Sequence, residues 1–414
     1  MANNKTVRVG ASLALVVVIS LFLSSQIVQA QTQGRPLQLR SVQVLNAYQN
    51  RVCQHVYENG SYRMAWQSAP LEGNPSVRLG DIDNDGQNEI VASVYYYTRT
   101  AGKKPNQVAY YNSRIHVFEE GASYDGEPSW STGELGELPS TLLRDSWVAD
   151  VDRRFQGNEL VLMRGSRLLV YRITHTEGAP AASFTSECLK IYRAALDSID
   201  VGDADGVPGV EIVVEAEQKP WIWKSTEGGW VEYPAAPVPL DQCGDASVLN
   251  LTHVRVRDVD NCGQNEVIST GTNERLMVWK WQTGAYEFVA ASPDLNGNMA
   301  YGLDCGNVDG DIGGRGEVAL AVWGKKRQPS RITTLAYVDG SYVIVNDCEL
   351  SVYRLEDLRV HDLTGDGRAE VLFNLDDNEF DGLIIMTLDG DLQTGILKEV
   401  YRAPCYPYTR PEIR

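Results

Sequence analysis

The fold is decided by residues 77–93, which read VRLGDIDNDGQNEIVAS. An apolar strand leads into a loop with aspartates at positions 81, 83 and 85. Gly86 permits a tight turn, Glu89 closes the loop, and a second apolar strand follows. Five further copies of this pattern begin at Asp150, Asp203, Asp258, Asn307 and Asp362.

The copies recur at intervals of 49 to 69 residues, which is the length of a four-stranded unit with its loops. After the fourth loop, for example, strands are predicted over 266–270, 275–281 and 286–291, with a tight turn at Thr283-Gly284. No segment holds a helical period, so the prediction is an all-β fold, a seven-bladed β-propeller of four-stranded blades. Six or eight blades are the alternatives.

A seventh unit without an acidic loop is predicted at the N-terminus. Residues 51–57 and 62–67 match the last two strands of a unit, joined by Glu-Asn-Gly-Ser. The last blade is expected to close by pairing N-terminal strands with a strand over Lys398–Arg402, because closure removes exposed sheet edges.

The acids of these loops point to calcium. Carboxylates at alternating positions of a tight loop converge on one centre, and Ca²⁺ takes six to eight oxygen ligands, whereas Mg²⁺ needs a stricter octahedron. The closing glutamate at loop position 9 excludes an EF-hand, which places its glutamate at position 12. The predicted ligands are Asp81, Asp83, Asp85, Gln87 (through its backbone carbonyl) and Glu89; Asp203, Asp205 and Glu211; Asp258, Asp260 and Glu266; Asn307, Asp309, Asp311 and Glu317; and Asp362, Asp366 and Glu370.

The repeated D-x-D-x-D-G-x-x-E loop, in register with β-strands, resembles the FG-GAP/VCBS family. This family of calcium-loop propellers includes integrin α-chain heads and many exported bacterial proteins. The resemblance covers nearly the whole chain after residue 30, and it implies that each loop joins the first two strands of a blade and binds calcium.

The copies differ in completeness. We expect full sites in the loops at 81, 307 and 362. The loops at 203 and 258 have Val207 and Cys262 at the fifth position, so calcium there is left open. The loop at 150 has Arg154 there, and a buried arginine can replace the charge of a metal, which favours an ion-paired loop.

The N-terminus has the layout of a secretory signal peptide. Lys5 and Arg8 precede an apolar run over 11–23, and small residues at Val28 and Ala30 mark a cleavage site. The prediction is a signal peptide over 1–30, a single domain over 31–414, and a secreted, periplasmic or extracellular protein without a membrane span after cleavage. A membrane anchor is the alternative, but the run is short for one.

The formal net charge of −18 disfavours nucleic acid and anionic membranes as partners. Removal of Lys5 and Arg8 with the leader makes the chain more acidic still. The six loops hold 19 acids, so most of the negative charge belongs to the predicted metal sites. Bound calcium would then be structural.

The seven cysteines favour disulfides, because an exported chain meets an oxidising compartment. By topology we expect Cys53–Cys405, Cys188–Cys243 and Cys262–Cys305, with Cys348 left over.

A ligand is expected on the face opposite the acidic loops, where basic and aromatic residues collect. The candidate binding residues are Arg99, Lys103, Lys104, Tyr110, Trp323, Lys325, Lys326 and Arg327. Aromatic rings stack on sugars, and Lys or Arg pairs with carboxylate or sulfate, so the predicted partner is a protein or an acidic glycan. The alternative interpretation is solvated loop charge and aromatics buried between blades.

Two function classes remain open. A binding, adhesion or assembly module needs no catalytic residue, and none is predicted. A lyase on acidic glycans would need a His or Tyr beside an Arg, and His253 is the one candidate.

Overall fold

The structure is a computed structural model in which part of the chain is described. The described residues are 35–40, 43–102, 104, 107–139, 143–193, 196, 198–239, 251–271, 275–295, 297, 299–311, 316–324, 328–350, 355–376, 381–390, 396–404 and 412–413. The predicted signal peptide lies outside them. Among the described residues every element is a strand, so the all-β prediction is confirmed. No helix with the length and apolarity of a membrane span occurs there.

The strands form six hydrogen-bonded sheets. The first sheet contains β1 (Val44–Tyr48), β2 (Arg51–Glu58), β3 (Ser61–Gln67) and, paired onto β1, β29 (Glu412–Ile413). The second contains β4 (Asn74–Gly80), β5 (Glu89–Ala101), β6 (Val108–Phe118), β7 (Trp130–Thr132), β8 (Leu138–Pro139), β9 (Leu143–Ala149), β10 (Glu159–Arg164), β11 (Arg167–Thr174) and β12 (Ala181–Ile191).

The other four sheets have four antiparallel strands each. They contain β13 (Ile199–Gly202), β14 (Glu211–Ala216), β15 (Lys219–Thr226) and β16 (Gly229–Pro234); β17 (Leu251–Arg257), β18 (Glu266–Gly271), β19 (Met277–Gln282) and β20 (Ala285–Ala291); β21 (Met299–Gly306), β22 (Glu317–Trp323), β23 (Arg331–Val338) and β24 (Ser341–Glu349); and β25 (Leu355–His361), β26 (Glu370–Asp376), β27 (Asp381–Asp389) and β28 (Ile396–Pro404).

The nine-stranded sheet is two antiparallel runs of four strands joined edge to edge. Its path runs β4-β5-β6-β7 and then β12-β11-β10-β9, and β7 and β12 meet through a short parallel pairing. The first strands of successive runs lie side by side: β4 packs on β9, β9 on β13, and so on to β21 on β25. Each run therefore turns its first strand toward a common inner side.

The predicted closing strand is wrong. Residues 398–402 lie within β28, which pairs with β27 as the outer strand of the last sheet. The chain returns to the first sheet through β29 instead, where Ile413 is opposite Val44 and Glu412 is opposite Leu45.

The hydrophobic core lies between neighbouring sheets. Val213 and Ile222 of the third sheet, for example, share one cluster with Val254, Val267 and Trp279 of the fourth. Burying side chains of this size stabilises the fold by about 1.5–3 kcal/mol each. The alternating apolar pattern of the strands thus supplies faces that pair sheet against sheet.

The predicted turn after β19 is present. Thr283 and Gly284 have φ values of 49° and 92°, the left-handed conformation that a two-residue hairpin turn requires at both positions. Glycine adopts it without the steric cost of a Cβ.

Candidate functional site

All six acidic loops connect the first and second strands of a run, as predicted. They also share one hydrogen bond. In each, Oε2 of the closing glutamate accepts a hydrogen bond from the backbone N–H of the loop's second residue. The N–O distances are 2.9 Å for Ile82–Glu89, 3.1 Å for Val151–Glu159, 2.8 Å for Ala204–Glu211, 3.0 Å for Val259–Glu266, 2.9 Å for Val308–Glu317 and 2.8 Å for Leu363–Glu370. One carboxylate oxygen is thereby used for the fold, and in Glu211 and Glu266 the other oxygen lies 3.0 Å and 2.8 Å from a lysine.

The loop at 81 gathers its four carboxylates. Oxygens of Asp81, Asp83, Asp85 and Glu89 lie within 4.8 Å of one another. Asp81 accepts the backbone N–H groups of Asp85 and Gly86, both at 3.0 Å, which fixes the turn. Burial raises the pKa of Glu89 to about 8; the backbone N–H of Ile82 opposes this rise, and the neighbouring aspartates add to it. Such crowding of acids is relieved by a bound cation.

Gln87 was predicted to offer its backbone carbonyl to the metal. Its backbone N–H donates to Asp85 Oδ1 at 2.7 Å, so the turn is ordered around this residue.

A second group of possible ligands adjoins this loop. Atoms of Asp83, Glu119 and His175 also lie within 4.8 Å of one another. His175 Nδ1 is 3.1 Å from Asp83 Oδ2, and Nε2 is 2.9 Å from the carbonyl of Ala179. Its ring stacks on Trp130 at 4.4 Å. The sequence reasoning missed this histidine because it lies after β11, in the next run.

The loops at 203 and 258 bring their acids together around a lysine. Lys224 bonds to the Asp205 carboxylate and lies 3.0 Å from Glu211 Oε1. Lys280 lies 3.0 Å from Asp260 Oδ2 and 2.8 Å from Glu266 Oε1. Both clusters also satisfy the spacing for a metal site.

These lysines stay charged in the folded protein. Burial lowers the pKa of Lys280, but its hydrogen bonds to Cys262, Glu266 and Asp260 outweigh burial, so the pKa lies above its ordinary value. The pKa of Lys224 is raised for the same reason, through Asp205 and Glu211. The predictions of calcium ligands at 203 and 258 remain predictions.

The loop at 150 is ion-paired, as expected from Arg154, but the buried partner is Asp152, whereas Arg154 itself is exposed. Arg154 binds Asp152 Oδ1 and Oδ2, each at 2.8 Å, and Arg172 bonds to the same carboxylate. Asp152 is completely buried. Burial raises the pKa of Asp152, but the hydrogen bonds from Arg154 and Arg172 lower it well below its ordinary range.

The loops at 307 and 362 are formed but less tightly grouped. Among the described acids, those of these two loops are not among the groups within 4.8 Å. Asn307 stands where the other loops have aspartate and accepts the N–H of Asp311 at 3.2 Å. Asp362 accepts the N–H of Gly367 at 2.8 Å, and Asp366 accepts that of Arg368 at 2.9 Å. In the loop at 307, residues 312–315 lie outside the described chain.

Neighbouring loops contact one another. Asn158 Nδ2 donates to the Asp81 carbonyl at 2.7 Å, and Asn265 Nδ2 donates to the Asp203 carbonyl at 2.8 Å. The Gly316 N–H donates to Asn261 at 3.1 Å. Arg368 Nε reaches the Asp309 carbonyl at 3.1 Å. The acidic loops therefore lie side by side on one face of the molecule, a row that we call the belt.

The connection predicted to carry ligand-binding residues in the second sheet is an extended hairpin. β5 has 13 residues and β6 has 11, whereas β10, β14 and β18 have six. The extra residues lengthen β5 by about 20 Å at its end away from the acidic loop.

The hairpin carries three of the predicted ligand residues. Arg99 lies over the Tyr110 ring, with 4.1 Å from its guanidinium carbon to the ring centroid, and pairs with Glu137 at 2.9 Å. Lys104 is exposed near the tip, and Tyr97 is 54% exposed. Lys103 and residues 325–327 (Lys325, Lys326 and Arg327) lie outside the described residues.

Trp323 is partly buried in the fifth sheet, where it packs against the core shared with the sixth sheet, and it is not part of the hairpin surface. Its ring stacks on Tyr301 at 4.9 Å, and its Nε1 donates to the Leu355 carbonyl at 2.5 Å. This agrees with the alternative interpretation of buried aromatics.

His253 lies in a buried ion network on the inner strands. It is 2% exposed, its Nε2 is 3.7 Å from Asp357 Oδ1, and its ring is 5.1 Å from that of Tyr301. Arg255 and Arg359 reach the same Asp357 oxygen at 3.4 Å and 3.3 Å. His253 and Tyr301 therefore do lie close to two arginines, as a lyase site would require. Both arginines, however, are already paired with Asp357.

Of the three expected cysteine pairings, only Cys262–Cys305 has both partners among the described residues. Cys262 and Cys305 are both free thiols, so the expected bridge between them is wrong. Cys262 instead contacts Lys280 Nζ at 2.9 Å. Cys53, Cys188 and Cys348 are also free, and Cys243 and Cys405 lie outside the described residues.

Comparison with known proteins finds similarity to solved structures, but none to protein families or curated proteins. No protein-family model matches the chain, and no curated protein matches it. A solved structure of a protein from Lactobacillus plantarum is similar, with a TM-score of 0.51 and 11% identity, over 91% of this chain and 99% of that one. At this identity the likeness concerns the fold alone.

Two further structures are similar at lower scores. The exotype rhamnogalacturonan lyase YesX has a TM-score of 0.43 and 15% identity over 86% of this chain, which spans 60% of the lyase chain. The WD40 β-propeller domain of Doa1 has a TM-score of 0.46 and 11% identity, over 85% of this chain and 92% of that domain.

Proposed function

We propose that this protein is an exported, calcium-stabilised β-propeller of the FG-GAP/VCBS type that serves as a binding module. The hairpin formed by β5 and β6 carries its ligand. The observation that supports this role most directly is the hairpin itself, because it extends beyond the ordinary strand length, exposes Tyr97 and places Arg99 over the Tyr110 ring.

Seven blades are part of the proposal. The nine-stranded sheet counts as two blades, and the remaining sheets count as one each. Support comes from the inner strands, which pack in sequence from β4 to β25, and from β29, which returns to β1. A closed ring leaves no inner strand unpartnered.

The two faces have different roles in this proposal. The acidic loops bond to one another across neighbouring runs, so that face is a stabilising belt for calcium. The hairpin lies at the other end of its sheet, and loops and arms on a rigid scaffold are where binding residues collect. A protein or an acidic glycan is the proposed partner; nucleic acid is excluded from the proposal by charge.

The binding role is tested by removing two aromatic rings of the hairpin, those of the exposed Tyr97 and the partly buried Tyr110. Tyr97→Ala combined with Tyr110→Ala is compared with Tyr57→Ala, an exposed tyrosine on β2 (39% exposed). Screening on a glycan array and against extracellular protein extracts should give a ligand that the hairpin variant loses and the Tyr57 variant keeps. Equal binding by all three proteins would remove the hairpin from the proposal.

The calcium role is tested by thermal unfolding in EGTA and in excess Ca²⁺. Each site saturated at about 100 times its Kd stabilises the native state by about 2.7 kcal/mol, so the Tm should rise clearly with Ca²⁺. Mg²⁺ at the same concentration is the control and should have a smaller effect. Identical melting in EGTA and in Ca²⁺ would refute calcium stabilisation.

A further inference from the structure

Two of the acidic loops are almost the same in sequence and conformation. Residues 81–89 read DIDNDGQNE, and residues 258–266 read DVDNCGQNE. Asn84 and Asn261 have φ values of 65° and 59°, and Gly86 and Gly263 have values of 90° and 87°.

The hydrogen bonds of these two loops also correspond. Asp258 accepts the N–H of Cys262 at 3.0 Å and that of Gly263 at 2.8 Å. Asp81 accepts the N–H groups of Asp85 and Gly86 at the same two oxygens. The backbone conformation and backbone hydrogen bonds of the loops at 81 and 258 therefore do not differ, and neither can decide which loop binds a metal.

The difference lies on the third strand, opposite the closing glutamate. Val267 pairs with Trp279, so the preceding residue Glu266 faces Lys280. Ile90 pairs with Phe118, so Glu89 faces the next residue, Glu119. The first loop thus faces a further carboxylate, and the other faces an ammonium group.

The same position carries a cation in two more runs. Glu211 pairs directly with Lys224. Leu160 pairs with Tyr171, so Glu159 faces Arg172. By the same register Glu317 faces Ala336 and Glu370 faces Thr387, neither of which is charged.

The ammonium group of Lys280 lies where a metal would lie. It contacts Asp260 Oδ2, Glu266 Oε1 and Cys262 Sγ at 2.8–3.0 Å, so it sits among the side chains that would be ligands. Calcium needs those oxygens at 2.3–2.6 Å. The two cations cannot share the space, and their repulsion at this separation is strong.

We propose that the residue opposite the closing glutamate decides whether an acidic loop takes a divalent cation. Lys280, Lys224 and Arg172 are built-in counter-ions that keep the loops at 258, 203 and 150 free of metal. The loop at 81 has Glu119 and no Lys or Arg at that position, and the group beside its Asp83 is His175, an imidazole that can itself bind a metal, so this loop remains open to a divalent cation. This inference rests on the proposed calcium binding and specifies which loops perform it.

The experiment uses the near-identity of the two loops. Cys262→Asp completes the acid set at 258 and leaves Lys280 in place, and Cys262→Asp with Lys280→Thr also removes the counter-ion. Calcium stoichiometry and affinity of the full chain are measured by isothermal titration calorimetry. The double variant should bind one more Ca²⁺ than wild type, and Cys262→Asp alone should bind no more than wild type.

The reciprocal change is made in the first loop. Glu119→Lys should reduce the calcium affinity of the loop at 81 by about 100-fold or more. Lys190→Thr, which removes a surface lysine paired with Glu232, is the matched control and should leave the stoichiometry unchanged. This reciprocal variant keeps the inference testable if the double variant fails to fold.

The outcomes separate this inference from the proposed function. If wild type binds no Ca²⁺ but the double variant gains a site, Lys280 does block the loop at 258, whereas the calcium role of the native chain and the assignment of the loop at 81 both fail. If wild type binds Ca²⁺ and neither the double variant nor Glu119→Lys changes the number of sites, the rule is overturned and the calcium role stands.

Discussion

Arg78 ties the two runs of the second sheet together from inside the molecule. It is completely buried in β4 and forms an ion pair with Asp145 of β9, which is also completely buried. Its Nε donates to the Ser146 carbonyl at 2.5 Å, and its guanidinium lies 5.4 Å from the Trp147 ring centroid. A buried charge is tolerated only with such partners.

The removal of this arginine is therefore expected to be costly. Arg78→Met leaves the Asp145 carboxylate buried without its partner, which should lower the free energy of unfolding by about 3–5 kcal/mol in a urea titration. Arg40→Met is the control, because Arg40 and Glu58 are both partly exposed, at 35% and 20%. The control should cost less than about 1 kcal/mol. Similar losses in both variants would contradict this account.

At the scale of single residues, the sequence predicts contacts only between residues that are close together in the chain. The acids of the loop at 81 are spaced within nine residues, so their convergence follows from one turn. Arg78 and Asp145 are 67 residues apart, and nothing in either neighbourhood indicates the pair. Lys280 was missed for a related reason, since its place beside Glu266 depends on the register of a hairpin.

The inner strands approach closely where each enters its acidic loop. Gly80, Gly202 and Gly306 all occupy the position just before a loop. A Cβ at these glycines would lie 2.6 Å, 3.0 Å and 2.5 Å from the side chains of Val148, Val256 and Val360 on the next inner strand. Glycine is required here by the packing of neighbouring strands.

Gly306→Ala tests this close approach. The added methyl would overlap Val360, so we expect a loss of about 1–3 kcal/mol in unfolding free energy. Gly133→Ala is the matched control, because a Cβ there meets nothing within 4 Å and no left-handed φ is involved. The control should be neutral or slightly stabilising. If Gly306→Ala is as stable as the control, the inner strands are less tightly packed than described.

Strand prediction succeeds where apolar alternation and turn residues coincide. The fourth-loop run was predicted to within about two residues at each strand end, since Gly284 marks the hairpin. Alternation and turn residues did not predict the length of β5, in which residues 89–101 form one strand. Its tyrosines and threonines favour extended backbone, and β6 supplies the pairing that stabilises it.

The whole molecule depends on how its two ends meet. The inner strands pack in sequence around the chain, and each neighbouring pair of sheets buries a shared apolar cluster. A two-residue strand, β29, joins the end of the chain to β1. So short a strand has no readable pattern, which explains why the sequence pointed to residues 398–402 instead.

Deletion of residues 412–414 should therefore weaken the molecule as a whole. It removes the pairing of Glu412 and Ile413 with Leu45 and Val44 and exposes the edge of β1. One or two backbone hydrogen bonds and the opened edge together correspond to a loss of about 1–3 kcal/mol. Thermal unfolding should show a lower Tm, whereas Ile413→Val, which keeps the backbone pairing, should melt close to wild type. If the deletion melts like wild type, β29 is not needed to close the ring, and the first sheet is held by its apolar contacts with β4 on one side and with the last sheet on the other.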